Sequence, residues 1–262
     1  CNGPVIESFP VGTLVRLTAT ATAGHLFAGW GGYCAGASAN VCDVTSSGAA
    51  VSATATFNAQ QPLGEVIGLT ANNRIVSFNR LTPEAIRTDN PITGLATDER
   101  IIGIDYRPQT TGAILYALSD KGNLYQLNPA TAVASSKIVL SAVAGDDLAY
   151  ATPFDATASY GMDFNPVADR LRVVSSKGDN WRINPDDGKV TTDAALNGAD
   201  TAATAAAYTN NYAGAKGTVL LVMNPATDKL YIQNTPNSGT LSEAGPFGVD
   251  AASLGGFDIT GT

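Results

Sequence analysis

Residues 161–190 are GMDFNPVADRLRVVSSKGDNWRINPDDGKV, the clearest unit of a pattern that recurs along the chain. The stretch opens on a short apolar strand that carries Gly161 and Asp163 as a Gly-x-Asp. A second strand, Arg170 to Ser175, alternates between large apolar and polar side chains. After the turn Lys177-Gly178-Asp179-Asn180 comes a third, Trp181 to Ile183, closed by Asn184-Pro185. Strand, tight turn, strand and Asn-Pro turn in succession describe an antiparallel meander.

The same grammar recurs on both sides. Gly103 and Asp105 open a unit that runs through Ile114 to Leu118, a turn at Asp120 to Asn123, a strand from Leu124 to Leu127, and Asn128-Pro129. Gly256-Phe257-Asp258 restarts it near the end. The Gly-x-Asp starts are 58 and 95 residues apart, and the second gap is close to two periods. The hidden start falls near Ala207-Tyr208-Thr209-Asn210, and its unit continues through Gly217 to Met223, Asn224-Pro225, Leu230 to Gln233 and Thr240 to Ala244. A period of roughly 45–55 residues with about four short strands is the signature of propeller blades. The expected architecture over residues 65–262 is therefore a four- or five-bladed β-propeller-like domain. The first unit, from Glu65, lacks an innermost strand, and the last, from Gly255, is only an innermost strand. Either the C-terminal strand completes the first blade and removes both raw edges, or a last blade is truncated here or supplied by another chain through strand addition.

Residues 1–57 read differently. Alternating Val, Leu and Thr runs broken by glycine (Gly12 to Ala19, a Gly24 to Trp30 turn holding the single histidine His25, and Val51 to Phe57) indicate a small all-β domain of about four strands. All three cysteines lie here. Cys34 and Cys42 flank a Gly/Ala/Ser loop, a spacing that suits a disulfide across a hairpin, the alternative being two free thiols. Cys1 is left over: a lipidated mature N-terminus, half of an intermolecular bridge, or the remainder of a pair cut away. Residues 58–64 form a short polar linker. The whole is thus all-β: a small disulfide-stapled domain followed by the propeller-like one.

Two resemblances follow from these motifs. "GTLVRLTATATAGHLFAGWGGYC…C…VSATATF" resembles the divergent internalin B-repeat of bacterial surface and secreted proteins. That resemblance implies an extracellular spacer or adhesion module, and a cysteine pair is common in the equivalent loop, which supports Cys34–Cys42. From about residue 66 to 260, "GLTANNRIVSFN", "GIDYRP", "DFNPVADRLRVVS", "AAYTNN" and "GGFDI" resemble domain-of-unknown-function family 4394. The family is similar to β-propeller proteins and occurs in exported bacterial proteins. It has no established activity, so it carries no catalytic residue to this chain.

Composition narrows the function. The 262 residues include 27 glycines and 13 prolines, only 15% are charged, and the net charge is -8. That is turn-rich β structure with an acidic surface, which argues against nucleic-acid and membrane-surface partners. No run approaches the ~20 apolar residues of a membrane helix, so no transmembrane segment is expected. With His25 in the small domain and no cysteine beyond residue 42, triad and thiol chemistry have no residues to use in the larger one.

Asp105, Asp163 and Asp258 recur at one place in each unit, so they ring one level of the structure. They suit a cation or a sugar in a channel, or they accept backbone N–H bonds from adjacent loops, and recurrence favours the structural role. Asn128, Asn184 and Asn224 mark the recurring turns. Asn184-Pro185-Asp186-Asp187-Gly188 lacks the alternating acids and distant Glu of a calcium loop, so it reads as a turn and no metal is expected. Asp169, Arg170, Arg172 and Arg182 form a cluster across paired strands, expected to be an ion-pair network closed by Asp163, Asp169 and Asp186, the alternative being a site for a carboxylate-bearing ligand. The tyrosines at 106, 116, 125, 208 and 231, with Trp181, read as core between blades. The expected function is non-catalytic and without cofactors: a bacterial extracellular or cell-surface structural or adhesive protein, with copies of itself as partners in a head-to-tail fibre. The alternative is a glycan-binding propeller, and after it a carboxylate-based glycan-active enzyme.

Overall fold

The computed structural model describes residues 6–22, 24–37, 39–59, 62–110, 112–146, 150, 152–198, 200–252 and 255–261. Cys1 lies outside them. The chain divides into two compact units, 1–62 and 63–262.

The small unit has four strands: β1 (Leu14–Thr18), β2 (His25–Gly32), β3 (Val41–Thr45) and β4 (Ala53–Ala59). β1 pairs antiparallel with β3, and β2 with β4. The Gly24 to Trp30 stretch, read as a turn, is a strand. Its glycines allow a register shift between Phe27 and Gly29 rather than a reversal, and Gly29 takes φ 144° there. His25 is exposed at its start. Cys34 and Cys42 are bonded, with Cα atoms 6.0 Å apart, and both pack with Val44 against Leu17, Trp30 and Ala53. So small a core leans on its staple. Replacing both cysteines with serine is expected to destabilise this unit by about 2–3 kcal/mol. Calorimetry of the full chain should show an earlier transition, and a superimposable thermogram would rule the expectation out.

The larger unit is a propeller of four blades. The first is β5 (Val66–Leu69), β6 (Arg74–Phe78) and β7 (Thr88–Pro91), paired in that order. The second runs from inner β8 (Ile101–Arg107) through β9 (Ile114–Ser119) and β10 (Asn123–Leu127) to β11 (Ala134–Val139). In the third, β12 (Ser141–Ala142) lies parallel against the outer edge, and the meander follows as β13 (Tyr160–Asn165), β14 (Arg170–Ser175), β15 (Asn180–Ile183) and β16 (Lys189–Thr192). The fourth repeats this plan with β17 (Asn197–Gly198), β18 (Ala205–Tyr208), β19 (Leu220–Asn224), β20 (Lys229–Asn234) and β21 (Thr240–Pro246).

Turn chemistry repeats with the strands. The Asn128, Asn165, Asn184 and Asn224 side-chain oxygens each accept the N–H two residues on, which fixes the Asn-Pro turns as Asx turns. The 184–188 loop is therefore a turn of this kind. Cores form between neighbouring blades. Ile75 of the first meets Leu115 and Tyr125 of the second. Tyr116 and Leu124 of the second meet Phe164, Leu171 and Trp181 of the third. Val174 of the third meets Tyr208, Val222 and Tyr231 of the fourth. Each aromatic assigned to the core is buried there except Tyr106, which is half-buried against the first of these clusters.

Candidate functional site

Two inner strands and the segment 255–261 bring together three side chains separated by up to 153 positions in the sequence. Asp105 on β8, Asp163 on β13 and Asp258 each offer a carboxylate oxygen, and these oxygens lie within 4.8 Å of one another. Asp105 and Asp163 are buried, and Asp258 is exposed. The Phe164 N–H donates to Asp105 Oδ2 at 2.6 Å, and the Tyr208 N–H faces the Asp163 carboxylate and favours its charged form. Asp105 therefore accepts the N–H that follows Asp163, and Asp163 faces the N–H at the corresponding place in the fourth blade. By that register Ala207 holds the acid's place in the fourth blade, and the ring has three carboxylates and one methyl.

Burial holds the Asp105 carboxyl well above the usual carboxylate range, the Phe164 N–H opposes this, and the Asp258 charge adds to it. Burial likewise raises Asp163, with the Asp105 and Asp258 charges reinforcing it. Asp163 Oδ1 is buried with no hydrogen-bond partner. A carboxyl raised in the folded state keeps its proton after the unfolded chain has lost it. Its contribution to stability is thus present below the ordinary value of 3.8 and is lost as the pH rises through the folded value. In buffer free of divalent cations, the stability of the natural protein relative to Asp163→Asn is expected to fall as the pH rises above about 4. Paired thermal melts check this, and a difference independent of pH would exclude it.

The arginine cluster has a different partner from the one its sequence suggests. Arg172 and Arg182 face each other across β14 and β15, as their spacing requires. Both are neutralised by Asp193, which belongs to no motif or repeat position. Arg182 binds it bidentately at 2.7 and 2.9 Å, and Arg172 Nη1 reaches it at 2.6 Å. Arg172, 2% exposed, also donates to Asn180 Oδ1 and Asn237 Oδ1, each at 2.8 Å. Asp169 and Asp186 instead grip Arg107 of the second blade, and Asp163 belongs to the carboxylate trio. The reason is reach: Asp169 sits in the turn before β14 with φ 51°, facing the neighbouring blade. Arg170 donates only to the Asp169 carbonyl, at 2.8 Å, and makes no ion pair among the described residues. With Arg172, Arg182, Asn165, Asn237 and Tyr208 it lines an open depression of about 390 Å³.

A family model described as a domain of unknown function, DUF4394, matches residues 74–262, and one described as a divergent InlB B-repeat domain matches residues 6–61. These are the two families that the motifs resemble. No curated protein matches the chain. A solved structure of catalytically inactive virginiamycin B lyase from Staphylococcus aureus with quinupristin is 13% identical at a TM-score of 0.38, over 80% of this chain and 63% of that one. The selenomethionine-substituted lyase from the same organism is 13% identical at 0.40, over 95% and 93%. A puromycin hydrolase is 16% identical at 0.30, over 68% of this chain and 28% of its own.

Proposed function

The chain belongs to the DUF4394 family, whose description assigns no activity, and from that membership and the B-repeat ahead of it we propose a non-catalytic structural or adhesive protein of the bacterial cell surface or extracellular space. On this reading it assembles head to tail with copies of itself. The observation that carries assembly is the inner edge of the first blade. Among the described residues β5 pairs only with β6, and segment 255–261 forms no ladder with it. A strand edge whose N–H and C=O groups lack a ladder accepts a strand from another chain. The acids support the non-catalytic part, because Asp105 and Asp163 are too buried to admit a sugar ring between them. The depression supports it as well, since arginines and amides line it where a hydrolase would place two separated carboxylates. Light scattering across a concentration series, with electron microscopy of native material, tests assembly. Ordered fibres are expected, and monomers at every concentration would refute it.

A second reading has its own observation. Arg170 lines the depression and, among the described residues, makes no ion pair, the Asp186 charge acting on it only at longer range, which favours a glycan bearing carboxylates. A glycan array distinguishes the two readings. Binding to uronate-rich glycans that Arg170→Ala abolishes would bring the glycan-binding propeller forward.

A further inference from the structure

We propose that Asp105, Asp163 and Asp258 form a calcium site between the inner strands, and that the bound ion fastens segment 255–261 to the second and third blades. The proposal stands whether or not the protein assembles.

Three observations carry it. First, the spacing fits. Calcium takes oxygen ligands at about 2.3–2.6 Å, so oxygens on opposite sides of one ion lie about 4.6–5.2 Å apart. The three carboxylate oxygens fall within 4.8 Å of one another. Magnesium demands a near-ideal octahedron at about 2.0–2.1 Å, whereas calcium accepts the irregular shell that three carboxylates from separate elements supply.

Second, Asp163 Oδ1 is unpartnered in a residue 1% exposed. An acceptor buried without a partner is costly, and a cation removes that cost where no donor is in reach. Third, the trio is not a plain structural repeat. Accepting the Phe164 N–H occupies only one oxygen of Asp105, and Ala207 shows that the fourth blade closes without an acid. The three that remain converge on one point between the blades.

The consequence lies in Asp258. It sits on an exposed segment with no β-ladder, whereas its two partners sit on inner strands paired along their length. An ion held by all three cross-links a segment without a β-ladder to two inner strands that are paired along their length.

Isothermal titration of calcium into the calcium-stripped full chain, with melts in EDTA and in about 10 mM calcium, tests the site. One ion per chain is expected, with a Kd on the order of 10⁻⁴–10⁻³ M. The melting temperature should rise by about 3–10 °C. Amide exchange across 255–261 should slow when calcium is added. Asp258→Asn should abolish the heat and the shift, and because Asp258 is exposed the variant should fold. Glu84→Gln, which removes an exposed acid from the first blade, should leave both intact. Asp163→Asn should lose the calcium response while melting in EDTA no lower than the natural protein. Superimposed melts without heat of binding, or a response that survives Asp258→Asn, would overturn the site. Calcium binding with unchanged exchange in 255–261 would overturn the fastening.

Discussion

Asp193→Ala is expected to lower the stability of the larger unit by about 3–5 kcal/mol, because removing one partner of a buried ion pair strands the other. Asp193 and Arg172 are 6% and 2% exposed in their side chains, so neither is stabilised by water in the folded state. Without the carboxylate, Arg172 keeps only the amide oxygens of Asn180 and Asn237. These are dipoles facing a full charge. Arg182, with 35% of its side chain exposed, can turn outward and accounts for little of the loss. The comparison that isolates the mechanism is Arg172→Met with Asp193→Leu. Replacing both charges by apolar groups of similar size should cost less than removing the acid alone. Urea denaturation of the three proteins reads this directly. A loss under about 0.5 kcal/mol for Asp193→Ala would place it among ordinary surface substitutions and sink the argument.

Half of that network is written in strand periodicity and half is not. The pairing of Arg172 with Arg182 was legible, because period-two strands on either side of a tight turn fix which side chains stand opposite. Their counter-ion was not. Asp193 follows β16, Asn237 lies in a 3-10 turn at 236–238, and neither belongs to a periodic pattern. The Arg172–Asn237 bond spans 65 residues and two blades, so only the closed ring brings it about. The blades themselves were legible through the Gly-x-Asp recurrence and the Asn-Pro turns. The fourth start was obscured because alanines replace both marker residues, at Ala205 and Ala207. The three acids could be placed at one level but not in contact. Their convergence depends on how closely the inner strands approach, and that distance is set by residues with no chemistry of their own.

The glycine of the repeat sets that distance, and Gly161→Ala is the second large expected effect. A Cβ at 161 would stand 2.6 Å from the Cα and carbonyl carbon of Ala205 and 2.7 Å from the Ala206 nitrogen. These are backbone atoms of β18, which is held on its other side by β19, so relief requires moving a strand. The cost should reach or exceed the upper end of the usual overpacking range, about 3 kcal/mol. Two matched substitutions give the scale. Gly103→Ala meets Met162 Sδ at 2.5 Å and Cγ at 2.7 Å, a flexible side chain that can swing aside. It should cost about 1 kcal/mol, the lower end of the same range. Gly256→Ala meets nothing within 4 Å and should be near neutral. The same repeat position thus runs from intolerant to indifferent around the ring, following how firmly each inner strand is pressed on the next. Urea midpoints in the order 161, 103, 256 from most to least damaged would bear this out. Equal losses at 103 and 161 would mean that β18 yields as easily as a methionine side chain, and the rigid inner wall on which the carboxylate trio depends would not exist.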